Sequence, residues 1–167
     1  MPAERTSPAV RTSMEDGVLT LCLNRPERRN VLDPAAVEEI CAVLDEADSC
    51  DEVRAVVFTG AGRAFSVGAD LSGGGGRFHP GPSRRGERDW GGVLALRLFA
   101  CAKPVVTAVN GDAVGLGAMM LLPMDLRLAA LTAGFGFVFT RRGIVPEACR
   151  AGSCHGWSAL PRRCAGR

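Results

Sequence analysis

Short apolar runs alternate with helical patterns along this chain, and this alternation limits the possible folds more than any other feature. A helical pattern lies between the apolar runs at residues 17–23 and 54–59. There Asp33 is a good helix N-cap, Pro34 suits the first helical position, and apolar residues then recur at helical spacing to about Ala47. Strands that alternate with helices at such short spacing predict an α/β fold with right-handed crossovers. The runs with the composition of strands are residues 17–23 (GVLTLCL), 54–59 (RAVVFT), 104–109 (PVVTAV) and 125–130.

Composition indicates one domain that does not bind nucleic acid. The chain has 167 residues, of which 47% are hydrophobic, and this is enough apolar material to bury a core. A net charge of +2 with 23% charged residues suggests neither disorder nor a basic nucleic-acid surface. Residues 1–14 lack a signal-peptide pattern and no apolar run is long enough to span a membrane, so we expect a cytoplasmic location.

The cysteines predict neither a disulfide framework nor a metal site. There are seven of them, an odd number, and none forms a C-x-x-C pair. Cys22, Cys41 and Cys101 lie in apolar runs and are predicted to be small packing residues.

Two glycine-rich segments are the best candidates for chemistry. Residues 62–71 (GRAFSVGADL) and 108–125 (AVNGDAVGLGAMMLLPMD) each place a glycine turn after an apolar run. Glycine permits unusual φ values and close approach, so such turns can direct backbone N–H groups at one point. Two N–H groups that converge on a thioester oxygen would form an oxyanion hole.

Five motifs occur one after another along the chain: LNRPERRNVLD, GAGRAFSVGADL, KPVVTAVNGDAVGLG, MDLRLAA and GIVPEA. In this order they resemble the crotonase superfamily of enoyl-CoA hydratases and isomerases. This resemblance implies a ββα spiral core, an acyl-CoA substrate whose coenzyme A is part of the thioester, no separate cofactor, and assembly into homotrimers or hexamers.

The resemblance also implies roles for particular residues. The backbone N–H groups of Ala69 and Leu116 match the two donors of the oxyanion hole. The positions that match residues near bound coenzyme A are Arg29, Val67, Gly68, Asp70, Leu71 and Gly115. Alternatives to this role remain open: Gly68 and Gly115 could only permit turns, Asp70 could be a helix cap, and Arg29 could be a solvated loop residue.

The acid–base residues depart from the hydratase pattern. Spacing places Met119 and Phe139 where classical hydratases of the family have two glutamates, and neither side chain can transfer a proton. Glu147 matches the acid–base position of some enoyl-CoA isomerases, which need one carboxylate and one oxyanion hole. The alternative is that Glu147 only complements the N-terminus of a helix that begins at Pro146.

A change of composition near Ala148 divides the chain. We predict a disordered segment at 1–13, a crotonase-like core at 14–148 and an atypical, disordered tail at 149–167, so that the fold is incomplete at its C-terminus. The tail holds three cysteines and four arginines, which a reading-frame shift near Cys149 would explain. Two functions are therefore considered: an acyl-CoA enzyme, isomerase-like or hydratase-like with the isomerase-like base favoured, and a truncated crotonase scaffold without catalytic activity.

Overall fold

A five-stranded sheet forms the base of the computed structural model, which describes residues 7, 9–70 and 90–139. The two strands β1 and β2 form an antiparallel hairpin, and every further strand pairs in parallel. This arrangement confirms the predicted α/β fold. In order across the sheet, the strands are β1 (Val10–Glu15), β2 (Val18–Leu23), β3 (Ala55–Gly60), β5 (Val105–Val109) and β7 (Leu126–Ala129).

The hairpin corrects the predicted N-terminal boundary. Residues 10–13, which the sequence assigned to a disordered segment, belong to β1, and Val10 pairs with Leu23. The turn consists of Asp16 and Gly17, with φ values of +48° and +80°. Positive φ at both central residues matches the right-handed twist of the two strands, and Asp-Gly is a preferred pair for such turns. The core domain therefore begins at or before Val10.

The helix α1 (Pro34–Ser49) extends slightly beyond the predicted end at Ala47. Its N-cap is Asp33 as predicted, because the Asp33 carboxylate accepts a hydrogen bond of 2.8 Å from the Ala36 amide. One face of α1 is buried in the core, and the second helix, α2 (Trp90–Phe99), packs beside it. Arg97 of α2 joins the helices through ion pairs to Asp45 and Asp48 of α1.

A second, three-stranded parallel sheet holds the glycine turns. Its strands are β4 (Ala64–Ser66), β6 (Asp112–Val114) and β8 (Phe135–Gly136), in that order. Each strand of this small sheet follows a strand of the large sheet, and the next described element after β4 and after β6 is a helix. The third helix, α3 (Leu116–Met119), follows β6 directly. The repeated strand–strand–helix order is the predicted ββα spiral.

Packing is uneven across the fold. The side chains of Met119, Met120, Leu121 and Leu122 are buried in the core. The edge strand β7 is different, because Leu128 is 55% exposed, and Leu131 just beyond it is fully exposed.

In the described part of the chain, no helix combines the length and apolar character needed to cross a membrane.

Candidate functional site

The two predicted glycine turns lie against each other in the structure. They follow β4 and β6, and these strands are parallel neighbours in which Ala64 pairs with Asp112 and Ser66 with Ala113. Parallel neighbours end at the same edge of a sheet, so both turns leave the small sheet at one place. A Cβ atom built on Gly68 would lie 3.0 Å from the Leu116 nitrogen. The structure thus brings together the two segments that the sequence assigns to the oxyanion hole.

Hydrogen bonds to Leu32 determine the direction of the Ala69 N–H group. The Gly68 carbonyl accepts a hydrogen bond of 2.8 Å from the Leu32 amide, and the Asp70 amide donates one of 2.7 Å to the Leu32 carbonyl. In a trans peptide the C=O and the following N–H point in opposite directions. The Ala69 N–H therefore points away from Leu32, and it donates no backbone hydrogen bond within the described residues.

The Leu116 N–H group also donates to no backbone acceptor among the described residues, but for a different reason than the Ala69 N–H group. Leu116 is the first residue of α3, where an amide has no partner inside the helix. The carbonyl of Gly115 instead accepts from Ala118 and Met119, at 3.1 and 3.0 Å. Gly115 has φ +56° and ψ −123°, a conformation that glycine adopts without a Cβ clash. Among residues 9–70 and 90–139, nothing accepts a backbone hydrogen bond from Leu116.

Asn30 organises the loop that supports the first turn, and the sequence reasoning did not single it out. It is 1% exposed and has φ +56°. Its side-chain NH₂ donates to the carbonyls of Ala61 (2.9 Å) and Ala64 (2.8 Å), and its Oδ1 accepts from the Arg25 amide at 2.9 Å. The available signal was the asparagine at the end of the RPERRN turn, since asparagine adopts positive φ more readily than most residues.

The residues predicted near coenzyme A gather where this loop meets the first turn. The Arg29 carbonyl accepts a hydrogen bond of 3.1 Å from the Val67 amide, and the Arg29 side chain is exposed. Asp70 forms an ion pair of 2.7 Å with Arg28, whose guanidinium is 44% exposed while the carboxylate is 10% exposed. The predicted Gly115 lies in the facing turn, and its amide donates to Gly136.

Two of the predicted site residues lie outside the described residues. These are Leu71, in the predicted coenzyme A set, and Glu147, the predicted base. Met119, at the first hydratase position, is buried at 1% exposure, and Phe139, at the second, is half-buried and packs against the core. The two positions that the resemblance assigns to the glutamates of classical hydratases therefore carry no carboxylate.

Charged groups next to the loop have shifted acidities. Burial by itself would raise the pKa of Asp33, but hydrogen bonds from Arg25 and from the Ala36 amide lower it below the ordinary value. The Arg25–Asp33 ion pair, at 2.7 Å, joins the start of the loop to the start of α1.

Across residues 9–70 and 90–139, no three His, Cys, Asp or Glu side chains group as a metal site would require.

The cysteines of the described region are free thiols. Cys22 is buried as predicted, whereas Cys41 and Cys101 are only half-buried. Cys101 does more than pack, because its thiol hydrogen-bonds the Asp48 carboxylate at 3.3 Å. Burial raises the pKa of both Cys41 and Cys101, so both thiols stay protonated near neutral pH.

Solved structures share this spiral arrangement. An enoyl-CoA hydratase/isomerase from Pseudoalteromonas atlantica T6c matches the fold with a TM-score of 0.74 and 32% identity, over 86% of this chain and 55% of that one. The fold is therefore that of the crotonase superfamily. The enoyl-CoA hydratase/isomerase family model matches residues 13–156, and the chain belongs to this family.

The names of curated relatives include a hydratase and an isomerase. An enoyl-CoA hydratase of Alternaria alternata is 44% identical over 133 residues, which are 80% of this chain and 44% of that protein. The 1,2-epoxyphenylacetyl-CoA isomerase of Escherichia coli K12 is 37% identical over 154 residues, 89% of this chain and 55% of that protein. This chain thus spans about half the length of the relatives it matches.

Proposed function

We propose that this protein acts on acyl-CoA thioesters and stabilises a thioester enolate with the backbone N–H groups of Ala69 and Leu116. The observation that carries the proposal is the contact between the two turns, in which the Cβ position of Gly68 lies 3.0 Å from the Leu116 nitrogen. Both amides lack a backbone acceptor in the described region, which supports their availability to a ligand oxygen. Hydrogen bonds from fixed donors stabilise charge on an oxyanion without reorganisation during the reaction.

The reaction type that we propose is isomerisation with Glu147 as the single base. Its carboxylate would take a proton from the α-carbon of a 3-enoyl thioester, leaving a dienolate whose oxygen accepts from Ala69 and Leu116. The same carboxylic acid would return the proton to the far carbon of the allyl system, giving the 2-enoyl thioester. The apolar side chains at 119 and 139 support this choice, because two-glutamate water addition has no proton carriers there.

The coenzyme A moiety is proposed to lie where the loop meets the first turn. Arg29, Val67, Gly68 and Asp70 are grouped there by hydrogen bonds and by the Arg28–Asp70 ion pair. Leu71 and Gly115 complete the proposed set. Assembly into trimers or hexamers stays a prediction from the family resemblance.

A proline substitution tests the second donor. Leu116→Pro removes one N–H at a first helical position, where proline is tolerated. Leu116→Ala is the matched control, because it removes the side chain and keeps the N–H. With crotonyl-CoA carrying ¹³C at the thioester carbonyl, we expect the carbonyl resonance to move on binding to the parent protein and to Leu116→Ala. The shift should be lost in Leu116→Pro, and turnover should fall about 10²–10³-fold. If the carbonyl resonance of crotonyl-CoA shifts as much in a folded Leu116→Pro protein as in the parent, the proposed oxyanion hole is contradicted.

A second measurement separates the enzyme from the scaffold. The full chain is incubated with 2-enoyl and 3-enoyl thioesters, and Glu147→Gln is compared with the parent. Loss of the base should reduce isomerisation about 10²–10⁴-fold and leave coenzyme A binding unchanged. If the parent protein binds coenzyme A but converts neither thioester, the non-catalytic scaffold is the better description.

A further inference from the structure

Ser66 contacts the three segments that build the proposed site, two of them through its hydroxyl group. Ser66 is the last residue of β4 and has no exposed surface. Its Oγ donates a hydrogen bond of 2.8 Å to the Asn30 carbonyl and accepts one of 3.2 Å from the Gly68 amide. One buried hydroxyl therefore connects the Asn30 loop with the turn that carries the Ala69 N–H.

Ser66 also contacts the segment that carries the second donor. A Cβ atom built on Gly117 would lie 2.3 Å from the Ser66 carbonyl oxygen and 2.8 Å from its Cβ. Glycine at 117 is thus what allows the start of α3 to approach β4 so closely. Because Leu116 directly precedes Gly117, Ser66 sets the separation between the two donor segments.

Both ends of Gly68 are held by hydrogen bonds. Its amide donates to the Ser66 Oγ, and its carbonyl accepts from Leu32 at 2.8 Å. A glycine at φ +90° has no side chain to restrict its rotation, so these two bonds help to orient the next peptide. Without the hydroxyl, the bonds of the Gly68 carbonyl and the Asp70 amide to Leu32 would remain, but the Gly68 amide would lose the bond that ties it to β4.

We infer that Ser66 is a positioning residue for the oxyanion hole, holding the Gly68 turn so that the Ala69 N–H faces the same point as the Leu116 N–H. This inference rests on the proposed function. Because Ser66 is fully buried, it would act through the two backbone donors and not by direct contact with a substrate. Its removal should weaken polarisation of the thioester carbonyl more than it weakens binding of coenzyme A.

The test compares Ser66→Ala with Thr107→Val in the full chain. Thr107, in β5, is also fully buried, and its hydroxyl hydrogen-bonds the Met124 sulfur and neither the Asn30 loop nor the Gly68 turn. With ¹³C-carbonyl crotonyl-CoA, Ser66→Ala should lose most of the carbonyl shift on binding, and its turnover should fall roughly 10- to 100-fold. Its KM, and its affinity for coenzyme A alone, should stay close to those of the parent. Thr107→Val should keep the shift.

Two further measurements make the result independent of whether Ser66→Ala folds. In the parent protein, the Gly68 amide should exchange slowly with solvent deuterium and the Ala69 amide quickly. Ser66→Cys, which keeps a weaker hydrogen-bonding group in place, should restore part of the shift.

The outcomes distinguish this inference from the proposed function. If the parent shows the carbonyl shift and a folded Ser66→Ala shows it undiminished, or if the Gly68 amide exchanges as fast as Ala69, the role of Ser66 is wrong and the hole stands. If the parent itself binds crotonyl-CoA without a shift, the proposed hole is overturned and the role of Ser66 with it. A reduced shift with unchanged affinity for coenzyme A supports both.

Discussion

The nitrogen of Leu116 lies 3.0 Å from the position that a Cβ atom would occupy on Gly68. The same Cβ would lie 2.6 Å from the Val114 carbonyl oxygen, which is backbone and cannot move aside as a side-chain end could. Gly68 also has φ +90°. Any other residue at this position would push apart the two turns that form the proposed site.

We therefore expect Gly68→Ala to be more destabilising than Gly115→Ala. Both glycines have positive φ, a conformation that strains an alanine. Only Gly68 adds a backbone clash, because a Cβ on Gly115 would meet nothing within 4 Å. Urea unfolding of the two variants should give a larger loss of unfolding free energy for Gly68→Ala. Equal losses would show that the contact between the turns is looser than described.

Asn30→Asp should destabilise the protein through its loop. The substitution keeps the size and the tolerance of positive φ but removes the NH₂ donor of two hydrogen bonds, to Ala61 and Ala64. Two unsatisfied carbonyls and a buried carboxylate should cost about 3 kcal/mol. The control is Asn24→Asp, which loses one half-buried bond to Ser7 and should cost less than about 1 kcal/mol. Chemical denaturation measures both, and comparable losses would contradict the role given to Asn30.

The ion pairs between α1 and α2 predict a defined acid response. Although burial alone would raise the pKa of Asp48, hydrogen bonds from Cys101, Arg97 and the Ala102 amide lower it below the ordinary 3.8. The stabilisation from Asp48 is therefore complete above that value and is lost as the pH falls through the lower pKa of the folded protein.

Asp48→Asn should lower the unfolding free energy at neutral pH by about 1–2 kcal/mol. The difference from the parent should shrink between about pH 5 and pH 2. Asp45→Asn is the matched control, because Asp45 pairs with the same Arg97 but its side chain is 70% exposed. A pH-independent difference for Asp48→Asn would refute the lowered pKa.

The exposed leucines near β7 should tolerate polar replacement. Leu128 is 55% exposed and Leu131 is fully exposed, so their substitution removes little buried apolar area. A Leu128→Gln/Leu131→Gln double variant should change the unfolding free energy by less than about 0.5 kcal/mol and should bind less of a hydrophobic dye. The control Leu94→Gln, at a fully buried site, should be severely destabilised. A large loss in the double variant would mean that these leucines are covered in solution.

Much of the fold could be predicted because its signals are local. The N-cap at Asp33 and the apolar spacing of α1 are properties of neighbouring residues, and the helix begins where they place it. The two glycine turns were also recognisable, and the structure brings them together. The first strand was missed although Asp16–Gly17 is a typical hairpin turn, because only Val10 and Met14 are apolar in the segment before it.

The support of the site could not be predicted from spacing alone. Asn30 bonds Ala64, which is 34 positions away, and its role depends on how the small sheet folds against the large one. The strands β4 and β6 have three residues each, too few for a periodic pattern to appear. Burial of the Ser66 hydroxyl likewise follows from tertiary contacts, since its partners lie in two different segments.

The Asp16–Gly17 hairpin has a consequence for the order of folding. A tight turn lets β1 and β2 meet within microseconds, because the chain has almost no loop to close. The parallel pair β4 and β6 has no such shortcut, since a strand and a helix of the larger layer lie between them along the chain. Non-local pairings of this kind form slowly. The two proposed N–H donors should therefore come together in one of the last steps of folding, and a nascent chain would form its hairpin long before the proposed thioester site.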